Sequence, residues 1–526
     1  MKNPKLGITV IITGALLFNL LFWQEQVAIN SLLFDLFIAG SLFSLYPDAK
    51  NNRIVKYLLA AHLVCIAAVI INNTMLSKLA MGMTLLLVFA FAEYSHRSAW
   101  FAGGSMVLNF TLFVAGFSSL LRTSNLYRKR NLKLGKVIRF AVFPLFIVAV
   151  FFFIYNLANS IFSGIVADIS NKIGQFFNSF FELISMERLL FLLAGIYITG
   201  ALLIRAKSNG LEKAEAGLGD NLFRERKKRG GANSSFLFDI VSSVMGRLAK
   251  GVLALKNEYT VDLISLCLLN LLLLIINFID INYLWFNFNF HPGINLTTMI
   301  HEGTELLILS LVLAMIVLLF FFRGNLNFYK RTKWLKAVSY VWLIQNGILV
   351  ISVLIRDYYY IKLMGLAYKR IGVLIFLILT LFGLVTVMIK ITWKKTTYYL
   401  MRVNAWAVVM LFVIGTTFNW DVLIAKYNIS HSDRITLDLP FLLTLSDRTL
   451  PVLDQHIDVL KKREYELNRE GVSLGSCNGC IEMILRDWEN NYLKNQHQYS
   501  WLSWNYADAA TIKYFDINHN INAGKK

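Results

Sequence analysis

Proline is scarce in this chain, six in 526 residues, and cysteine scarcer still at four. So few prolines leave helices free to run long, and four cysteines cannot staple a chain of this length. Charge is also missing, in blocks. Runs of about 20 residues with little or no charge recur, each long enough to cross a hydrocarbon core of roughly 30 Å as a helix. With 56% hydrophobic residues and a mean hydropathy of +0.56, ordinary soluble proteins are excluded. The strand alternation of an outer-membrane barrel is absent, as are a phosphate-binding glycine loop, a nucleophile elbow and an ATPase motif.

What is present is a strong basic excess, +20 overall. It is unevenly placed. The tail from Asp421 to Lys526 has 12 Lys/Arg against 14 Asp/Glu, a net of −2, so the part before it carries +22. That excess falls in short connections between apolar runs, the bias of cytoplasmic loops. The partner it implies is the lipid bilayer with its anionic headgroups, not nucleic acid.

The apolar runs lie at 7–23, 27–46, 55–72, 76–93, 99–121, 138–157, 187–205, 259–279, 303–322, 337–355, 371–390 and 404–420. The first follows Lys2 and Lys5 and runs into Trp23 without a small-residue cleavage pattern, so it reads as a retained span. "RTSNLYRKRNLKLGKVIR" (122–139) has seven basic residues and no acid; 206–258 contains "RERKKR", 323–336 has five basic residues, and 390–402 has four. Placing these inside sends the tail outside. Twelve spans would then strand Lys2, Lys5 and the Lys50/Arg53/Lys56 cluster outside as well. Either that signal is overridden, or one run between 55 and 121 does not cross.

The expected fold is therefore all-α, a polytopic transmembrane helical bundle of eleven or twelve spans with a small C-terminal water-soluble helical domain. Four parts follow: an N-terminal bundle (1–121), helices with basic loops (122–258), a C-terminal bundle (259–420) and an extracytoplasmic helical domain (421–526). Within the second part, "SGIVADISNKIGQFFNSFFELIS" (163–185) repeats apolar residues at three and four, the pattern of an interfacial helix or of one packed on the bundle. The first half of 206–258 reads as a loose cytoplasmic loop and "FLFDIVSSVMGRLAKGVLAL" as a helix. Trp488, Trp501 and Trp504 are candidates to fill the core of the tail.

Candidate chemistry is confined to a few groups. Asp35, in the middle of "SLLFDLFIAG", costs a few kcal/mol at mid-depth unless it is paired or protonated; His62 and Asn109 are its candidate partners. Gln345 and Asn346 read as hydrogen-bonding glue between helices. His301, Glu302 and Glu305 sit at the mouth of the ninth run, and Arg356, Asp357 and Asp421 at the same depth on neighbouring runs, a possible polar ring. Interfacial anchoring is the simpler reading of that ring. "HEGTE" lacks the second histidine of a zinc-protease motif, so no metal and no cofactor is expected. Cys477 and Cys480 form a CxxC with neither a haem-attachment histidine nor a thioredoxin context; a structural disulfide or idle thiols outweigh a redox role.

The stretch from "NEYTVDLISLCLLNLLLLIINFIDINYLW" through "HEGTELLILS", "FRGNLNFY" and "GLAYKRIGVLIFLILTLFGLVTVMIKI" to "FNWDVLIAKYNI" resembles an uncharacterised bacterial multi-pass membrane family, domain of unknown function 4173. The resemblance implies a bacterial inner membrane and supplies no activity. Three readings of function remain: a non-enzymatic membrane component whose external domain binds a protein partner, a transporter or lipid-handling protein, and a membrane enzyme at the outer leaflet. The first is favoured, because no inverted repeat of broken spans is evident.

Overall fold

The structure, a computed structural model, describes residues 4–123, 185–205, 210–224, 254–286, 296–322, 324–329, 331–469 and 480–523, with a few single positions between 144 and 166. Among these residues the only strand-like feature is one bridge between Asn221 and Lys395. The bundle is built from α1 (Pro4–Phe22), α2 (Ile29–Leu45), α3 (Arg53–Asn72), α4 (Met75–Glu93), α5 (Ala99–Thr111), α6 (Phe113–Thr123), α7 (Met186–Leu203), the short α8 (Gly210–Ala216), α9 (Ala254–Asp280), α10 (Leu296–Phe321), α11 (Thr332–Met364), α12 (Tyr368–Trp393) and α13 (Thr397–Gly415).

Among the described residues, eight helices are long and apolar enough to cross a membrane, or nine if the bent pair α5–α6 is one span; Ile29–Leu45 and Glu305–Phe321 are shorter apolar helices. Eleven of the twelve apolar runs in the sequence coincide with these helices. The run 138–157, the interfacial helix expected at 163–185 and the helix expected at 236–255 lie almost wholly outside the described residues. Local sequence sets the boundaries. Asn52, Thr74, Ser98 and Thr396 each accept a backbone N–H in the first turn of the helix they precede, and Asn73, at φ +47°, makes the left-handed turn between α3 and α4.

Two apolar cores hold the bundle. One gathers Ile11, Ile38, Leu42, Val55, Phe89 and Leu203 from α1–α4 and α7; the other gathers Leu266, Leu311, Leu335, Val353 and Leu377 from α9–α12. α13 joins them, with Val409 in the first core and contacts to α12. α9 and α11 run parallel: Asn270 Nδ2 donates to Val338 O and Asn277 Nδ2 to Gln345 O, each 68 residues on. The amides of α9 are thus the glue expected of Gln345 and Asn346, while Asn346 bonds within its own helix, to Trp342 O.

The connections sort into two ends. At one, Tyr46 OH donates to Leu203 O, Asn52 Nδ2 to Phe91 O, and Leu222 N to Lys394 O. At the other, Ile29 N donates to Trp504 O, Asn72 Nδ2 to Thr416 O, and Asn428 Nδ2 to Leu366 O. The first is the basic end, the second the tail end. α1 and α7 lie antiparallel, Gly195 against Ala15 and Arg188 Nε donating to Asn19 Oδ1 at 3.2 Å, so α1 starts at the basic end and α7 starts at the tail end.

The pair α5–α6 is different. It bends by 68°, and its course can be followed along α7: Tyr197 OH donates to Phe110 O, Gly200 lies under the Phe113 ring, and Gly116 abuts Ile204. Since α7 descends toward the basic end, α6 descends with it. α5 runs obliquely along that end, its Asn109 still bonded to Glu93 and Tyr94, and α6 turns back beside α7. Thirteen residues extend only about 20 Å, too short to cross.

The tail forms α14 (Trp420–Ser430), α15 (Leu439–Leu442), α16 (Leu450–Gln455), α17 (Ile457–Arg469), α18 (Cys480–Gln496) and α19 (Tyr506–Ala523). Its core of Ile424, Leu439, Leu453, Leu460, Ile481 and Phe515 continues into Leu366 and Ile371 of the bundle. Of the three tryptophans expected there, Trp488 packs against this core and the other two do not. Trp501 is 67% exposed and Trp504 47%, both beside the start of α2, while Trp488 Nε1 donates to Asp447 at 2.6 Å. An indole N–H needs a polar partner, which an aliphatic core does not offer.

At Gly195 a Cβ would lie 3.1 Å from the backbone oxygen of Ala15, which cannot step aside; at Gly103 it would meet nothing within 4 Å. Close helix approach over small residues is a membrane packing device. Gly195→Leu is expected to cost about 1–3 kcal/mol through overpacking, read as a lower apparent Tm in detergent, with Gly103→Ala close to wild type.

Candidate functional site

Asp35 meets His62. The Nε2–Oδ2 distance is 3.2 Å, and both residues are nearly enclosed, at 6% and 3% exposure. His62 Nδ1 lies 2.9 Å from Thr84 Oγ1 on α4. Asn109, the other candidate partner, is engaged elsewhere: its Nδ2 donates to Glu93 Oε2 at 2.9 Å, and Tyr94 OH donates to its Oδ1 at 2.6 Å.

A second buried cluster closes the basic end. The Glu215 carboxylate, on α8, accepts from Tyr398 OH at 2.6 Å, His96 Nδ1 at 2.6 Å and Ser98 N at 2.8 Å. His96 Nε2 is 2.6 Å from Ser105 Oγ. The order hydroxyl–imidazole–carboxylate is that of a nucleophilic relay, but Ser105 is 0% exposed, so no substrate can reach it. The cluster acts as a clamp. Arg97 Nη2 donates to Glu215 O and Leu218 O, Arg402 pairs with Asp220 at 2.7 Å, and Lys395 Nζ donates to Asn221 Oδ1. Residues 210–224, expected to be a loose loop, are fastened to α5 and α13 instead, because a buried carboxylate holds donors from both.

Desolvation pushes the Glu215 carboxyl up, but the hydrogen bonds from Tyr398, His96 and the amides of Ser98 and Arg97 outweigh it, and the net effect holds it below its ordinary value of 4.5. A lowered folded value means that the contribution to stability is complete above the ordinary value and disappears as pH falls through the folded one.

At the tail end the expected polar ring breaks into separate pieces. Arg356 pairs with Asp280 at 2.5 Å. Tyr368 OH donates to Asp421. Asp357 is buried, with one oxygen lacking a hydrogen bond, and Glu305 is exposed. His301 and Glu302 lie on α10, their side chains outside the described residues. Neither of two cavities at this end takes in Asp35, Glu305, Arg356 or Asp421: one of about 500 Å³ runs along α14 past Asn419, Leu423, Lys426 and Tyr427, and one of about 250 Å³ is lined by Tyr368, Lys369, Arg370 and Asn428. Cys480 is disulfide-bonded and Cys477 lies outside the described residues. Among the described residues no group of three or more His, Cys, Asp or Glu could hold a metal ion.

With this geometry in view, sequence comparison supplies the family. A family model described as a domain of unknown function, DUF4153, matches residues 58–456. The chain belongs to that family. This replaces the resemblance to domain of unknown function 4173, which the comparison does not support. No curated protein and no solved structure matches the chain.

Glu93, His96 and Glu215 went unmarked in the sequence reading. The available signal was "EYSHR", an acid, a phenol and an imidazole within four residues at the end of an apolar run. Glu215→Ala is expected to destabilise the protein by about 1–3 kcal/mol, the cost of leaving buried donors unmet, and to open 206–224 to protease. In acid titrations the gap between wild type and Glu215→Ala should close only below about pH 4.5.

Proposed function

We propose that the chain is a non-enzymatic component of a bacterial inner membrane, whose helical tail faces the periplasm and binds a protein partner while the bundle holds it at the surface. The observation that carries this reading is the separation of charge. Arg97, Lys394, Lys395 and Arg402 gather at one end; the tail, with its core continuous with Leu366 and Ile371, sits at the other, where Arg356, Lys369 and Arg370 are the exception. The positive-inside bias then makes the basic end cytoplasmic.

The return of α6 supports the alternative in which one run between 55 and 121 does not cross. With α5–α6 not crossing, Lys5, the Lys50/Arg53/Lys56 cluster and Thr123 share the cytoplasmic side on this reading. The described helices other than α5–α6 then make ten crossings, with Thr123 and Ser185 at opposite ends. The disulfide at Cys480 supports a periplasmic tail, since such bonds persist in oxidising compartments. The shallow cavity along α14, with Leu423 exposed and Tyr427 beside it, supports a docking role for the tail.

A second reading, transport or lipid handling, draws on the Asp35–His62 pair, because ionisable groups at mid-depth mark ion or proton paths more often than they serve packing.

A phosphatase reporter fused after Lys526 is expected to be active outside the cytoplasm, and a fluorescent reporter after Thr123 to be bright inside it. Phosphatase activity from the fusion after Thr123 would show that α5–α6 crosses. A photo-crosslinking residue at Leu423 should give one discrete adduct in living cells, lost in a Tyr427→Glu background; no adduct would count against the partner reading.

A further inference from the structure

The hydrogen bonds around His62 bear on where its protons sit. Thr84 Oγ1 lies 2.8 Å from Ala80 O and 3.0 Å from Met81 O. A carbonyl oxygen only accepts, so the Thr84 hydroxyl donates down its own helix and offers His62 a lone pair. On that assignment His62 Nδ1 carries a proton and donates to it across 2.9 Å. In a neutral imidazole that leaves Nε2 bare. Yet Nε2 faces Asp35 Oδ2 at 3.2 Å, and neither atom has an aligned hydrogen bond, to the other or to any further group. A bare nitrogen against an ionised carboxylate, shut away from water, is repulsive.

We infer that Asp35 and His62 form an internal proton-binding site, holding one proton between Nε2 and Oδ2 beyond the one that Thr84 fixes on Nδ1. The pair is neutral overall, either as carboxylate with imidazolium or as carboxylic acid with imidazole. The two atoms are too close for a water between them, and among the described residues no third ligand joins them to hold a metal.

The surroundings supply no competing charge at this depth. α2 contains no other ionisable residue, and α1 contributes only Lys5, at its start. On α3, Cys65 follows His62 by one turn on the buried side, and Arg53, Lys56 and Tyr57 lie in the first two turns at the basic end. α4 brings Thr84 to the pair and carries Lys78 and Glu93 toward its two ends. α13 has Tyr398, Tyr399 and Arg402 near the basic end and Thr416 just past its far end. On α19, which packs on α3, Asp508 pairs with Arg448 of the tail domain.

The site also has a mechanical address. The segment leading into α2 is tied to the tail: Glu25 accepts from Ser500 N at 3.2 Å and from the Ser503 hydroxyl, and Ile29 N donates to Trp504 O.

The test is nitrogen-15 NMR of the full chain, labelled at histidine, in nanodiscs at pH 7.5. His62 is picked out from the eight histidines by the signals lost in His62→Gln or moved in Asp35→Asn. The expected wild-type result is a protonated Nδ1, with Nε2 protonated or shifted by a strong hydrogen bond. In Asp35→Asn the amide can donate to Nε2 in place of the proton, so Nε2 should become an ordinary acceptor while Nδ1 stays protonated. An unprotonated Nδ1 in the wild type, or an Nε2 signal that ignores Asp35→Asn, overturns the inference. Should Asp35→Asn fail to fold, the wild-type and His62→Gln spectra decide it alone.

Discussion

A carboxylate drawn out of water into a helix bundle has to take a partner with it, and much of this molecule is arranged around that requirement. Asp35 has His62 in mid-bundle, Glu93 has Asn109, Glu215 has His96 and Tyr398 at the basic end, and Asp280 has Arg356 at the tail end. Burying such groups gains little net stability over apolar residues of the same shape, but stripping one partner leaves an uncompensated charge and costs far more. Their value lies in specificity. Leucine-rich helices slide past each other at small cost in lipid, and each polar pair selects one register and one neighbour.

Those pairs also decide how the two ends of the bundle differ. At the basic end, Glu215 and Asp220 draw a polar segment against α5 and α13, closing that face with arginine and tyrosine contacts. At the other end the tail shares an aliphatic core with the α11–α12 turn and hydrogen-bonds to the start of α2. The turn-back of α6 leaves Thr123 at the end where Lys50, Arg53 and Lys56 lie, and the proposed orientation rests on that. A mount of this kind suits a component that presents a domain at the membrane surface.

Much of the fold was readable from hydropathy, because a spanning helix must be apolar along its whole length and announces itself in about twenty consecutive residues. Asp35 was readable for the same reason: a single charge in such a run is expensive enough to demand an explanation. The bend at Leu112 was not, since 99–121 is as apolar as a true span and only its packing against α7 shows the return. The clamp escaped notice because His96 and Glu215 lie 119 residues apart, and no local pattern links them. The ring of ionisable groups at the tail end was seen as one set because depth alone can be inferred from sequence. Which helix faces which cannot, and the structure divides the set into Asp280–Arg356 and Tyr368–Asp421.

The dependence on paired burial is tested most directly by a double-mutant cycle on Asp280 and Arg356, using Asp280→Leu, Arg356→Met and both together, read as apparent unfolding free energy in detergent. The pairing account predicts that each single change costs about 3 kcal/mol or more and that the double variant is no worse than either single one. Single effects that simply add, with no coupling between the two positions, would contradict it.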